Sequence, residues 1–431
     1  MLPKNWRRVP LHEVAEVRTG LAKGKTGQRD PVEVPYLRVA NVQDGHLDLT
    51  EIKTITVERE QIGRYSLRNG DILMTEGGDF DKLGRGDVWQ GQIEPCLHQN
   101  HVFVVRPNVE LLDSTYLAAL SASHHGRTYF LGCAKRSTNL ASVNTSQVRN
   151  FPVLLPPLSE QQGIARVLKK WDEAITTNER LLANGREQMR AIQARLLALS
   201  IPHSATKKNE GTFPPSVQSG IPALPVTPIG WRRTALGKHL REVRRPIALE
   251  QDRTYALVTV KRSRGGVQRR ECLRGAEIKT PAQFLVKAGD FLISKRQIVH
   301  GACGIVPPEM DGAVVSNEYA VLNSDEEIDM RFLRYLSEST YFQQTCFHSS
   351  IGVHVEKMIF RTERWLAWPF NIPPLTEQQR IVKILDTAAL EILCIERQLK
   401  ALTSEKAALM SQLLTGKRRV NVDATPAVAS T

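Results

Sequence analysis

At 431 residues, with 41% hydrophobic and 24% charged positions, the chain is too long for one ordinary core and has the composition of a globular protein. Its formal net charge of +13 points to a polyanionic partner. Six scattered cysteines form no C-x-x-C pair, no run of about 18 apolar residues occurs, and the N-terminus holds no apolar leader core. Zinc binding, a disulfide framework, a membrane span and a secretory leader are therefore disfavoured, and a reducing, cytoplasmic compartment is expected.

Along the chain, the first stretch reads as short strands broken by turns, such as Tyr36–Ala40 and Val102–Val105. Gly20 to Thr26 has the residue types of a phosphate-binding loop. Three residues separate its first glycine from Gly24-Lys25-Thr26 where the cradle needs four, so it reads as a basic loop in which Lys25 meets DNA phosphate. Asp48, Glu51 and Lys53 are the types of a metal-dependent nuclease triad, but Leu47, Leu49 and Ile52 suggest an alternating surface strand. Glu76 to Gly86 is a glycine-rich loop mixing Asp79 with Lys82 and Arg85. Arginine or lysine can grip guanine O6 and N7, and a carboxylate can accept from cytosine N4. A helical pattern covers Leu112 to Phe130, and the basic segment Lys135-Arg136 follows.

Pro156-Pro157-Leu158-Ser159-Glu160-Gln161-Gln162 then opens a long helix, with Ser159 as its expected N-cap. Apolar residues recur at alternating spacings of four and three through Ile164, Leu168, Trp171, Ile175, Leu182, Met189, Ile192, Leu196 and Leu199. Asn178 and Gly185 fill the remaining seam positions, a coiled-coil signature. Ile201 to Gly230, rich in Pro, Ser and Thr, reads as a linker.

From Trp231 the order repeats. Trp231-Arg232-Arg233 answers Trp6-Arg7-Arg8, and Gly289-Asp290 answers Gly70-Asp71. Pro373-Pro374-Leu375-Thr376-Glu377-Gln378-Gln379 answers the first helix start, with Thr376 as cap. A period this long means duplicated domains. The second copy carries different loops: Lys261, Arg262 and Arg264, then Lys295, Arg296, Gln297 and His300, then His354 and Lys357. These are groove-binding residue types, with Gln297 available to read adenine. A second a/d seam runs from Ile381 to Leu413, and the stretch from Gly416 to Thr431 reads as a frayed tail. No metalloprotease, nucleophile-elbow, dinucleotide or amino-methyltransferase motif occurs, so no catalytic residue and no metal ligand is assigned.

The two Pro-Pro-Leu-Ser/Thr-Glu-Gln-Gln segments, the two half-repeats and strings such as Leu37–Val42 and Leu97–His101 closely resemble the specificity (S) subunit of type I restriction-modification systems. The resemblance implies an α+β fold in which two mixed α/β target-recognition domains are joined by two long antiparallel coiled-coil helices in a pseudo-twofold repeat. The expected divisions are 1–155 and 231–372 for the recognition domains, 156–200 and 373–415 for the helices, 201–230 for the linker and 416–431 for the tail. It further implies a non-catalytic, DNA-binding subunit that reads a bipartite target. Two modification subunits would carry S-adenosylmethionine, and restriction subunits would use ATP and Mg, with no cofactor on this chain. Glu160, Gln161, Gln162, Glu377, Gln378 and Gln379 are the expected docking places for those partners. A related two-subunit system that cuts beside its site is the alternative.

Overall fold

The computed structural model describes residues 2–22, 30–78, 83–84, 86–136, 141–199, 222–280 and 282–420. It divides into unit 1, Met1–Glu179 with Arg397–Thr431, and unit 2, Arg180–Glu396. Each unit takes half of each long helix, so the helices are not separate domains as the expected divisions had them.

In unit 1 a four-stranded antiparallel sheet runs in the order Ala15–Thr19, Val102–Pro107, Ile72–Thr75, Gly86–Val88. Unit 2 repeats it as Leu240–Glu242, Tyr319–Ser324, Phe291–Ser294, Cys303–Ile305. The central strands are buried on both faces because successive side chains point to opposite sides. Ile72 and Met74 join the core beneath the helices while Leu73 joins a second core. Phe291 and Ile293 do the same against Leu292. In each unit the opening strand closes on the strand before the long helix: Arg7–Pro10 on Pro152–Leu155, and Arg232–Ala235 on Pro369–Ile372.

The units diverge in their second sheet. Unit 1 has three strands, with Pro31–Leu37 between Lys53–Glu58 and Leu97–His98. Unit 2 has five, including the long hairpin Thr254–Val260 and Val267–Arg274.

The repeated Gly-Asp turn is a structural clasp. Gly70 and Gly289 sit at φ +90 and +87, a region open to glycine, and the following aspartates are fully buried. Asp71 accepts two bonds of 2.7 Å from Arg106 and one of 2.7 Å from the Arg68 amide. Asp290 accepts from Arg245 at 2.6 and 3.1 Å, from the Lys287 amide at 2.8 Å and from Asn323 at 3.0 Å. The arginine comes from different strands. Arg106 lies in Val102–Pro107, whose equivalent position in unit 2 is Asn323, while Arg245 follows Leu240–Glu242.

The long helices run Leu158–Leu197 and Leu375–Leu413. Both begin one residue before the expected caps. The Pro157 carbonyl accepts from Glu160 and Gln161 at 3.0 and 3.1 Å, and Pro374 from Glu377 and Gln378 at 2.9 and 3.0 Å, so the prolines hold the cap position. Within unit 1, Ile164 and Leu168 share a core with Leu409, Met410 and Leu413, and Lys406 pairs with Asp172. Within unit 2, Ile381 and Leu385 share a core with Met189 and Leu196, and Arg186 meets Glu396 at 2.6 Å. In each unit the partners run in opposite directions along the two helices.

The seam departs from its expected register at Ile192, which is 39% exposed, while Gln193 is buried and donates to the Tyr335 carbonyl and Glu338, both at 3.0 Å. Gly163 has a packing reason: a side chain there would stand 3.1 Å from Val420. The tail is not frayed through residue 420. Gly416 packs on Pro3, and Arg419 grips buried Glu160, which also accepts from the Trp6 indole at 3.1 Å. The linker likewise is tied down from residue 222, with Pro225 and Thr227 bonded to Asn371. Residues 201–221 and 421–431 lie outside the described residues.

Candidate nucleic-acid interface

In unit 2 the three basic segments singled out in sequence converge. The hairpin loop Lys261–Gly266 joins the strands Thr254–Val260 and Val267–Arg274. Ser263 and Arg264 hold φ of +52 and +59, uncommon for residues with a side chain. Two main-chain bonds to the neighbouring loop stabilise them: Ser263 N donates to His300 O at 2.7 Å and Arg264 N to Gly301 O at 3.0 Å. The third segment, Ser350–Ile351 paired with Ile359–Phe360, is anchored by Phe360 N donating to Lys295 O at 2.9 Å.

Side chains complete the convergence. Arg262 donates through Nε to Gln297 Oε1 at 2.8 Å and through Nη2 to Glu356 Oε2 at 3.2 Å. The other Glu356 oxygen lies 3.1 Å from Nε2 of buried His300. Arg296 chelates Glu318, which holds its guanidinium proton more tightly than usual, and Lys295 meets Glu242 at 3.2 Å. Lys261, His354 and Lys357 are exposed.

The residues therefore divide. Arg264 is half-buried, with Nε donating to the Ser337 carbonyl at 2.9 Å, so it faces the protein. His300 is interior. Gln297 is half-buried and accepts from Arg262 Nε through its amide oxygen, so its side chain is held by the neighbouring loop. Lys295 is mostly covered and ion-paired. Arg262, Arg296, Lys261, His354 and Lys357 form the outward set.

In unit 1, Lys25, Asp79, Lys82 and Arg85 lie outside the described residues. The backbone of the other basic segment, Lys135–Arg136, pairs with Ala141–Ser142, which pairs with Gly77–Gly78. The same main-chain link appears in both units, Glu76 N to His101 O at 3.0 Å and Lys295 N to Glu318 O at 2.8 Å. At this matched place unit 1 sets Glu76 against His101 at 2.5 Å, and unit 2 sets Arg296 against Glu318. The acid has changed sides. Sequence reading missed Glu242, Glu318 and Glu356 as partners, because such long-range pairs leave no local spacing.

The Glu-Gln-Gln residues do unequal jobs. Gln161 Oε1 accepts from Asp113 N and its Nε2 donates to the Leu111 and Pro156 carbonyls, all at 2.9 Å. Gln378 repeats this with Asp329 N, Glu327 O and Pro373 O, again at 2.9 Å. Both are wholly buried, so each clamps its long helix to the N-cap of a shorter one inside its own unit. Glu160 is buried against Arg419, and Glu377 is half-buried with Arg380 at 3.7 Å. Gln162 and Gln379 are exposed.

The candidate nuclease triad does not assemble. Asp48 accepts from Thr50 N at 3.0 Å and Thr50 Oγ1 at 2.6 Å, bonds that hold its carboxyl below the usual range. Glu51 meets Arg38 at 3.3 Å and Lys53 at 3.7 Å. Among the described residues no group of three His, Cys, Asp or Glu side chains could hold a metal ion, and no helix is long and apolar enough to cross a membrane.

Fold and site together define a duplicated α+β recognition protein with unlike loops on one scaffold. Residues 3–184 and 248–403 match the family model of the type I restriction modification DNA specificity domain, and the chain belongs to that family. It is 27% identical over 212 residues to the provisionally assigned MjaX type I restriction enzyme specificity subunit of Methanocaldococcus jannaschii, covering 48% of this chain and 49% of that protein. It is 23% identical over 415 residues to the MjaVIII specificity subunit of the same organism, covering 90% and 86%. A crystal structure of the type I restriction-modification S subunit from M. genitalium shares the fold at TM-score 0.52 and 12% identity, covering 96% of this chain and 97% of that one. The chain thus spans about half the length of the first of these relatives.

Proposed function

We propose that this chain is the sequence-specific DNA-binding subunit of a type I restriction-modification complex, with each unit reading one half of a bipartite, asymmetric target. What carries the reading is the pairing of shared clamps with unlike loops. The Gln161 and Gln378 clamps repeat bond for bond and the Asp71 and Asp290 clasps recur with arginines from different strands, while in the loops beside them the acid changes sides. In this role exposed lysines and arginines, with the Lys25, Lys82, Arg85, Lys135 and Arg136 loops of unit 1, supply salt-dependent phosphate attraction, and loop side chains discriminate bases. Catalysis belongs to partners: modification subunits carrying S-adenosylmethionine and restriction subunits using ATP and Mg. Exposed Gln162 and Gln379, with the exposed apolar residues Leu181, Leu390 and Leu393 of the long helices, offer them docking surface.

Mapping methylated positions in a genome that expresses the chain with its modification subunit tests this. Two different short sequences separated by a fixed, unspecified spacer are expected. A target with a single specified half, or with the same half twice, overturns it. Inserting four residues into one long helix should change the spacer and leave both halves alone.

A further inference from the structure

The chain Gln297–Arg262–Glu356–His300 is more specific than a patch of positive charge. Arg262 sits on a loop whose two left-handed residues are locked onto the adjacent loop, and strain held in this way collects at functional sites. Gln297 takes the Nε proton and Glu356 takes one Nη2 proton, so one edge of the planar guanidinium is fixed by two neighbours. The other Glu356 oxygen lies beside buried His300. The remaining end, Nη1 with the second Nη2 proton, carries two parallel N–H bonds. The side chain is 46% exposed, so this end can meet a ligand. Two parallel donors of fixed spacing match the O6 and N7 acceptors of guanine in the major groove, whereas an adenine edge offers one acceptor and one donor.

We propose that Arg262 is the base-reading residue of unit 2 and that it reads a guanine, with Gln297 and Glu356 acting as positioning residues. This rests on the reading of the chain as a DNA-binding specificity subunit. A phosphate contact would need no such support, since charge alone attracts phosphate, while base discrimination needs a fixed donor edge. The neighbouring cations serve differently: Arg264 faces the protein and Lys295 is held by Glu242.

The test is selection of bound duplexes from a randomised pool by the full chain co-purified with its modification subunit, read by sequencing. Wild type is expected to enrich a guanine at one position of the unit 2 half-site. Arg262→Ala should flatten the preference at that position alone, by roughly 5- to 150-fold, the range of one bidentate contact. Arg262→Lys keeps the charge and should lose most of that preference. Glu356→Gln, which keeps shape and fold, should weaken it partly. Replacing that guanine by 7-deazaguanine in a fixed target, which removes N7 and keeps O6, should cost the wild type part of what Arg262→Ala loses and should cost the Arg262→Ala variant nothing further.

If Arg262→Ala weakens all sequences equally and lowers the salt slope by about one, the residue is a phosphate contact and the proposal fails. Preference lost at a base other than guanine also defeats it. If wild type selects no sequence at all, the DNA-reading function itself fails. The two failures are therefore distinct.

Discussion

Replacing Gln378 by leucine should destabilise unit 2 while leaving the surface of the chain unaltered. The side chain is wholly buried and makes three bonds of 2.9 Å: from Asp329 N, to Glu327 O and to Pro373 O. Leucine is close in volume, so little cavity forms, but three buried backbone groups lose their partner. At about 1 kcal/mol for each bond, and somewhat more for each group left unsatisfied, the loss is roughly 3–5 kcal/mol, offset by about 1 kcal/mol from burying the leucine. The net cost is about 2–4 kcal/mol. Urea unfolding of the intact chain would register it, and hydrogen exchange would place it. Protection should fall at residues 327–336 and at the first turns from Leu375, with unit 1 unchanged. Gln161→Leu should do the converse. If either variant keeps its unfolding midpoint but no longer assembles with partner subunits, the clamp reading is wrong and the glutamine is a docking residue.

Acid should weaken unit 1 through His98. This histidine is 2% exposed with Nδ1 2.8 Å from the Val102 carbonyl, and burial pushes its pKa down to about 4. The folded state holds it neutral, whereas the unfolded chain protonates it below about pH 6.5, so its contribution is intact above 6.5 and lost as pH falls towards 4. The loss of roughly 2–4 kcal/mol is checked by unfolding midpoints across that window, where His98→Gln should show a shallower slope. Arg419→Ala leaves the Glu160 carboxylate with only the Trp6 indole and should cost about 1–3 kcal/mol, less than a fully buried pair because Arg419 is 43% exposed. A lowered melting temperature with unit 2 exchange unchanged would confirm it. Glu51→Ala should alter neither magnesium response nor stability beyond about 1 kcal/mol, since its pairs with Arg38 and Lys53 are at the surface.

Much of the architecture was legible because duplication prints itself on sequence. Trp6 with Trp231, Gly70-Asp71 with Gly289-Asp290 and the paired glutamine segments each mark a position where both units need the same backbone. The expected caps Ser159 and Thr376 fell one residue inside the observed helix starts, and the coiled-coil seam came from the a/d spacing. It failed at Ile192, where Gln193 is drawn inward by a carbonyl and a carboxylate that only the fold brings near. Residue type located the unit 2 loops but not their division of labour. Arg262 and Arg264 look alike in sequence, and two left-handed residues turn one outward and one in. The tail misled for the same reason. Lys417-Arg418-Arg419 reads as solvated charge until a buried glutamate 259 residues away supplies a partner.

The Gly-Asp clasp sets a rule for recombination. A crossover between the two repeats that falls after the first strand of the four-stranded sheet would join Gly20 of one copy to Asp290 and Asn323 of the other, leaving a buried aspartate with no arginine. The reciprocal product would crowd Arg245 and Arg106 around the single carboxylate of Asp71. Either chimera carries a misfolding penalty of several kcal/mol before it meets any DNA. A crossover between the repeats that leaves both clasps intact therefore has to exchange each four-stranded sheet whole, with its breakpoint outside the sheet.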